Sequence, residues 1–141
     1  MLGWSFRGST RPSNYYLALV TDASAPDATT VTMSELTEIA AGNGYTAGGI
    51  ELDANSTDFD TLTQDDSGEQ AYIQVRDVSW TASGGSIPSS GSGASYIVLT
   101  DDNATLANRE VLAFWTLGTA RTITVGRSMP LSDLELYLSQ P

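Results

Sequence analysis

Residues 70–102 read QAYIQVRDVSWTASGGSIPSSGSGASYIVLTDD. Two apolar, β-branched runs are joined by a stretch of almost nothing but Gly, Ser, Ala and Pro. Side chains of the first kind fit a pleated, half-buried surface, and the Gly/Ser-rich middle breaks any regular element, so the stretch predicts two core strands joined by an exposed loop over 83–93. In the first run Ile73 and Val75 share one phase while Val78 and Trp80 share the other. The pattern slips across Arg76-Asp77, as a β-bulge or a strand that changes face would make it do. The second run, 95–100, sets Tyr96 and Val98 against Ile97 and Leu99, the mark of a strand buried on both faces or close to it. The loop holds no Lys, His, Cys or acid. It cannot be an active-site lid with its own chemistry, which leaves a flexible tip or a backbone-mediated contact with a neighbouring subunit.

The same theme extends in both directions. YYLALVT at 15–21 is again apolar on both phases. Further strands are expected at 48–53, 58–63, 110–117, 121–125 and 132–138, the last alternating Leu134, Leu136 and Leu138 against Asp133, Glu135 and Tyr137. Thr32 followed three residues later by Glu35 has the capping-box form, with Leu36, Ile39 and Ala40 at helical spacing and Gly42 as a stop, so a short helix is expected over 33–41. Gly42-Asn43-Gly44-Tyr45-Thr46-Ala47 formally matches the dinucleotide fingerprint. It follows a helix pattern and leads into a strand, the reverse of the context that fingerprint needs, so it reads as a helix stop and a turn. About eight strands at this spacing with one short helix predict an all-β, β-sandwich or jelly-roll-like domain, a small closed barrel being the alternative. Residues 1–13, with Trp4, Phe6, Arg7 and Arg11 among Gly, Ser, Thr and Pro, show no period of 2 or 3.6 across their length and are expected to form an extended arm ahead of a single domain over 14–141.

Composition narrows the function. The chain has 141 residues, 17 acids against six Arg, no Lys, and a formal net charge of -11. Nucleic acid is an unsuitable partner, because phosphate binding draws on clustered cations and the six Arg are scattered. No apolar run approaches the roughly 18 residues of a membrane span, and no basic leader with a long apolar core opens the chain, so neither a membrane partner nor export is expected. Without His or Cys the usual general base, metal ligand and thiolate nucleophile are missing, and there is no G-x-S-x-G elbow or Lys for a Ser-Lys pair. Paired carboxylates remain: Asp58 with Asp60, Asp65 with Asp66, Asp101 with Asp102, and single acids such as Asp53 and Asp77. Most lie in turn sequences, where Asp serves the backbone, so no enzyme, no metal and no cofactor are expected. Trp80, Phe114 and Trp115 fall inside strand patterns and are expected in the core, although an aromatic on a strand face can also stack on a sugar ring.

The runs YYLALVT, SELTEIAAGNGY, VSWTASGGSIPSSGSG and YIVLTDDNAT, with the Leu-rich terminal strand, together resemble small virion proteins of tailed bacteriophages, over nearly the whole chain from about residue 15 onward. The resemblance implies a β-sandwich module that decorates or cements the outside of the capsid, made in the host cytoplasm and bound to the major capsid protein and to sister subunits as a dimer or trimer. A tail- or fibre-associated module that binds a host-surface glycan is the alternative. The short chain without heptads or a fibrous repeat favours the head. Under that reading Trp4, Phe6, Arg7 and Arg11 are the expected partner-binding residues, since aromatic and Arg side chains dominate interface hot spots. The other outcome for the arm is that its aromatics tuck against their own domain.

Overall fold

The computed structural model describes residues 10–65 and 70–139. Nine strands form the framework among those residues: β1 (Asn14–Val20), β2 (Ile50–Asp53), β3 (Thr61–Asp65), β4 (Gln70–Val75), β5 (Val78–Thr81), β6 (Ala94–Thr100), β7 (Val111–Arg121), β8 (Ser128–Leu131) and β9 (Leu134–Ser139). They pair antiparallel in three sheets, ordered β2-β1-β6-β7, β3-β4-β9 and β5-β8. The chain is therefore all-β and sandwich-like. Its four-stranded sheet is built on β1 and β6, the two runs that are apolar on both phases. Leu17, Leu19, Ile97 and Leu99 face one way, into a core shared with Val75 and Leu134 of the second sheet and Val78 and Trp80 of the third. Ala18, Val20 and Val98 face the other way, under Met33 and Leu36. Both faces of this pair are closed to water, as their continuous apolar sequence requires.

The phase slip at Arg76-Asp77 has a definite cause. The chain leaves the β3-β4-β9 sheet after Val75 and re-enters a different sheet at Val78, where β5 pairs with β8. Val75 and then Val78 and Trp80 all remain buried, so two strands in two sheets each keep their apolar side inward. The loop at 83–93 differs from expectation in its first half. Ile87 is 1% exposed and pairs backbone to backbone with Ile123, Pro88 is buried behind a cis Ile87-Pro88 bond, and the Asn43 side-chain amide donates to the Ser86 carbonyl at 2.9 Å. Residues 83–84 and 89–92 remain at the surface. A single β-branched side chain, Ile87, decides this: burying it requires the flanking backbone to find partners, and Ile123 supplies them.

The helix expected over 33–41 is a single 3-10 turn, Met33–Glu35. Its local signal is present, since the Glu35 carboxylate accepts from the Val31 and Thr32 N–H groups at 2.9 Å, and these bonds hold its pKa below the usual value. The turn stops at Leu36, which is extended. Thr21 N–H donates to the Thr37 carbonyl, Ile39 N–H to that of Leu19, and Val20 bridges Glu38. Pairing with the end of β1 outweighs a marginal helix, because it places Leu36 over one face of the sheet and Ile39 in the core of the other. The strand expected at 110–117 runs on through Gly118 to Arg121 as β7, while the strand expected at 121–125 does not form: between Arg121 and β8 the chain is irregular apart from the bridge of Ile123 to Ile87. The expected arm ends sooner than 13: Pro12 is buried, and the Ser13 and Asn14 N–H groups donate to Asp102.

Gly42, Asn43 and Gly44 all take positive φ in a tight turn closed between Gly42 and Tyr45, the turn reading of that glycine pair. It delivers Tyr45 into the core. The Tyr45 hydroxyl donates to Glu38 at 2.6 Å and accepts from the Leu19 N–H at 2.9 Å. Gly49, just before β2, has φ +84, and a Cβ there would meet the Leu17 carbonyl oxygen at 1.8 Å, so no other residue fits there.

Two outcomes are expected. Ile87→Ala empties a core site and should cost about 2–5 kcal/mol in denaturant unfolding, whereas a free tip would leave stability within about 0.5 kcal/mol. Burial, then the neighbouring Glu38 carboxylate, pushes the Tyr45 phenol up from its ordinary value of 10.0. The folded pKa lies above the unfolded one, so the neutral phenol's contribution is complete below about pH 10 and is lost as pH rises beyond it. With no Lys, His or Cys in the chain, alkaline destabilisation reports mainly on tyrosine. Denaturation midpoints should fall above about pH 10, and less steeply in Tyr45→Phe.

Candidate functional site: an apolar cleft between two sheets

Register creates the site. Leu62 of β3 lies opposite Ile73 of β4, which lies opposite Leu136 of β9, so three apolar side chains form one row across a single face. The facing sheet contributes Tyr15, Leu99 and Leu112. Leu112 arrives there through an irregularity: Leu99 pairs with Ala113 but Thr100 pairs with Val111. The extra residue turns Leu112 to the same side as Ala113, and both reach the core. The two sheets do not close over this row. A cleft of about 590 Å³ remains between them, with Arg11 and residues 54–56 at its mouth.

A second hollow of about 660 Å³ shares Leu62, Ile73, Leu112 and Leu136 with the first and continues outward past Phe114, Tyr72 and Tyr137. Leu62 is 78% exposed, Tyr137 59% and Phe114 41%. Tyr72 and Tyr137 lie against each other, ring centroids 5.6 Å apart and tilted by 35°. Asp27 and Glu135 add carboxylates to this outer mouth. Asp27 accepts from the Thr29 hydroxyl at 2.7 Å and from the Thr29 and Thr30 N–H groups, and these bonds, the hydroxyl's first, hold its pKa below the usual value. Glu135 accepts from the Tyr137 hydroxyl, which raises that phenol's pKa. The Trp115 indole N–H donates to the Glu135 carbonyl at 3.2 Å and ties the sheets together at this depth.

Of the expected contact residues, Arg11 is exposed and lines the inner mouth. Its charge acts on Tyr15, whose phenol is raised chiefly by burial, with Arg11 opposing and Asp102 and Asp101 adding to the rise. Trp4, Phe6 and Arg7 lie outside the described residues. Trp80 is in the core as expected, Trp115 is half-buried at the cleft, and Phe114 is on the surface instead of inside. Phe114 pairs with Val98 in regular register, so it takes the face opposite Ala113 and Trp115, where cover is sparse.

The acids singled out in the sequence serve turns. Asp101 accepts from the Glu110 N–H at 2.9 Å, Asp102 from the Ser13 N–H at 2.8 Å, and Asp58 from the Asp53 N–H at 2.7 Å while pairing with Arg76. Asp53, Asp60 and Asp77 are exposed. Asp66 lies outside the described residues. Among the described residues no group of three or more His, Cys, Asp or Glu is placed to hold a metal ion, and no helix is long and apolar enough to cross a membrane.

Sequence reasoning did not find Leu62, Tyr72, Tyr137, Asp27 or Glu135 as neighbours. Leu62 stands alone among polar residues in TLTQD, a weak sign of an apolar side chain with no cover of its own. Comparison of the chain with protein-family models, with curated proteins and with solved structures finds no match.

Proposed function

We propose that the protein is a non-enzymatic structural component of a tailed-phage virion, a decoration or cement protein that binds the outer surface of the head and stabilises it. The resemblance of the chain to small virion proteins supports the class. The geometric observation that carries an interaction role is the exposed apolar surface of Leu62, Phe114 and Tyr137 on a strongly acidic body. Soluble domains rarely leave large apolar side chains together at the surface unless something docks there. A net charge of -11 keeps such a body soluble by self-repulsion while one face stays adhesive. The partners under this reading are the major capsid protein and sister subunits in a symmetric oligomer. The arm residues Trp4, Phe6, Arg7 and Arg11 take part either as direct contacts or by completing the face that meets the shell.

A tail- or fibre-associated module that binds a host glycan is favoured by a different observation. Tyr72, Phe114 and Tyr137 line one hollow with Asp27 and Glu135, and such a mixture of aromatic rings and hydrogen-bond acceptors suits a saccharide.

Counting copies in purified particles, with binding of the isolated protein to heads lacking it, separates the two. The decoration reading expects copy numbers on the scale of the capsid protein and saturable binding weakened about tenfold or more by Phe114→Asp. A handful of copies at the tail, with saccharide binding lost in Phe114→Ala, would contradict it and establish the alternative.

A further inference from the structure

In the outer hollow, aromatic rings and carboxylates share one cavity, and its charge is one-sided. Tyr72, Phe114, Trp115 and Tyr137 line it together with Asp27 and Glu135, and no Arg does. Neither carboxylate forms an ion pair among the described residues. The side chains that donate to them, Thr29 and Thr30 to Asp27 and Tyr137 to Glu135, are neutral, so two negative charges stand uncompensated. An aromatic ring adds to this field, because its face is negative and attracts a cation within about 6 Å of the centroid. The Tyr72 and Tyr137 centroids are 5.6 Å apart, close enough for one cation to lie within that range of both. A net charge of -11 draws cations toward the same hollow.

We propose that the outer hollow is a binding site for a quaternary ammonium ligand, a choline-type group held by the rings of Tyr72 and Tyr137 and the carboxylates of Asp27 and Glu135. The rest of the lining decides between kinds of cation. Leu62, Ile73, Leu112 and Leu136 are aliphatic and accept no hydrogen bond, whereas a primary ammonium brings three N–H donors and a guanidinium five. Donors buried against such side chains without partners are costly. A quaternary ammonium has no donor to satisfy, and its methyl groups gain by leaving water for apolar surface. The volume of about 660 Å³ is of the size that small-molecule sites have. The site does not depend on attachment to heads: failure of either leaves the other untouched. It competes with the saccharide reading of the same hollow, and one titration separates the two.

Choline and its uncharged carbon isostere, 3,3-dimethyl-1-butanol, are titrated into the full chain at about 0.15 M NaCl, which screens non-specific attraction, and the amide and aromatic NMR signals are followed. Choline should saturate with a Kd on the order of millimolar and shift the signals of Tyr72, Trp115 and Tyr137, with the isostere at least about tenfold weaker. Glu135→Gln and Tyr137→Leu should each weaken choline about threefold or more, while Asp60→Asn, an exposed acid outside the hollow, leaves its affinity unchanged. Unshifted amide signals elsewhere in each variant report an intact fold; should Tyr137→Leu unfold, Phe114→Leu takes its place. Equal affinity for choline and the isostere, shifts confined to residues outside the hollow, or an Asp60→Asn effect as large as that of Glu135→Gln overturns the proposal. Binding of methyl β-D-glucoside at these residues, with none of choline, overturns it in favour of a saccharide.

Discussion

The fold depends on β6 being paired on both edges and buried on both faces. It lies between β1 and β7, and residues Ala94–Thr100 are apolar on either phase. Such a strand obliges the rest of the chain to cover two faces of one sheet with few residues. On one side the cover is sparse: Met33, Leu36 and part of Val111 sit over Ala18, Val20 and Val98. On the other side two separate small sheets, β3-β4-β9 and β5-β8, share the work. Division of the cover explains why the chain changes sheet between Val75 and Val78. It also explains why closure is incomplete. Ile87 and Tyr45 seal the β5-β8 side from above, each delivered by a loop with its own hydrogen bonds, while the β3-β4-β9 side has no corresponding plug among the described residues.

The cleft follows from that asymmetry. Its floor is a cross-strand row fixed by register, and its opposite wall owes Leu112 to a bulge in β7. Bulges redirect side chains without lengthening a strand, and here the redirection turns Leu112 inward beside Ala113. The tie between Trp115 and the Glu135 carbonyl sets how near the sheets approach, so the opening is a built distance. The cleft thus combines an apolar floor, aromatic rims, and acids at the outer mouth.

Much of this was legible in the chain. β1 and β6 announce themselves by apolar residues on both phases, and the slip at Arg76-Asp77 marks the sheet change. The turn acids, Asp58, Asp101 and Asp102, serve the backbone as their sequence context suggests. What was not legible depends on distant partners. The helical spacing of Leu36, Ile39 and Ala40 is a local signal overruled by pairing with β1. Ile87 sits in a run of Gly, Ser and Pro whose composition says loop, and only Ile123, far along the chain, makes it core. β8, with Pro130 in the sequence SMPL, lacks alternation and exists because β5 needs an edge partner. The cleft was least legible of all, since Leu62, Ile73 and Leu136 become a row only once three strands are in register.

β6, paired on both edges and buried on both faces, is the strand on which the rest of the fold closes. Native-state amide hydrogen exchange on the full chain reads it most directly. β1 and β6 should exchange slowest, through global unfolding, while the β3 strand Thr61–Asp65, at the open side of the cleft, should be released in an earlier opening step. Exchange of β6 at the same rate as β3 would contradict that order.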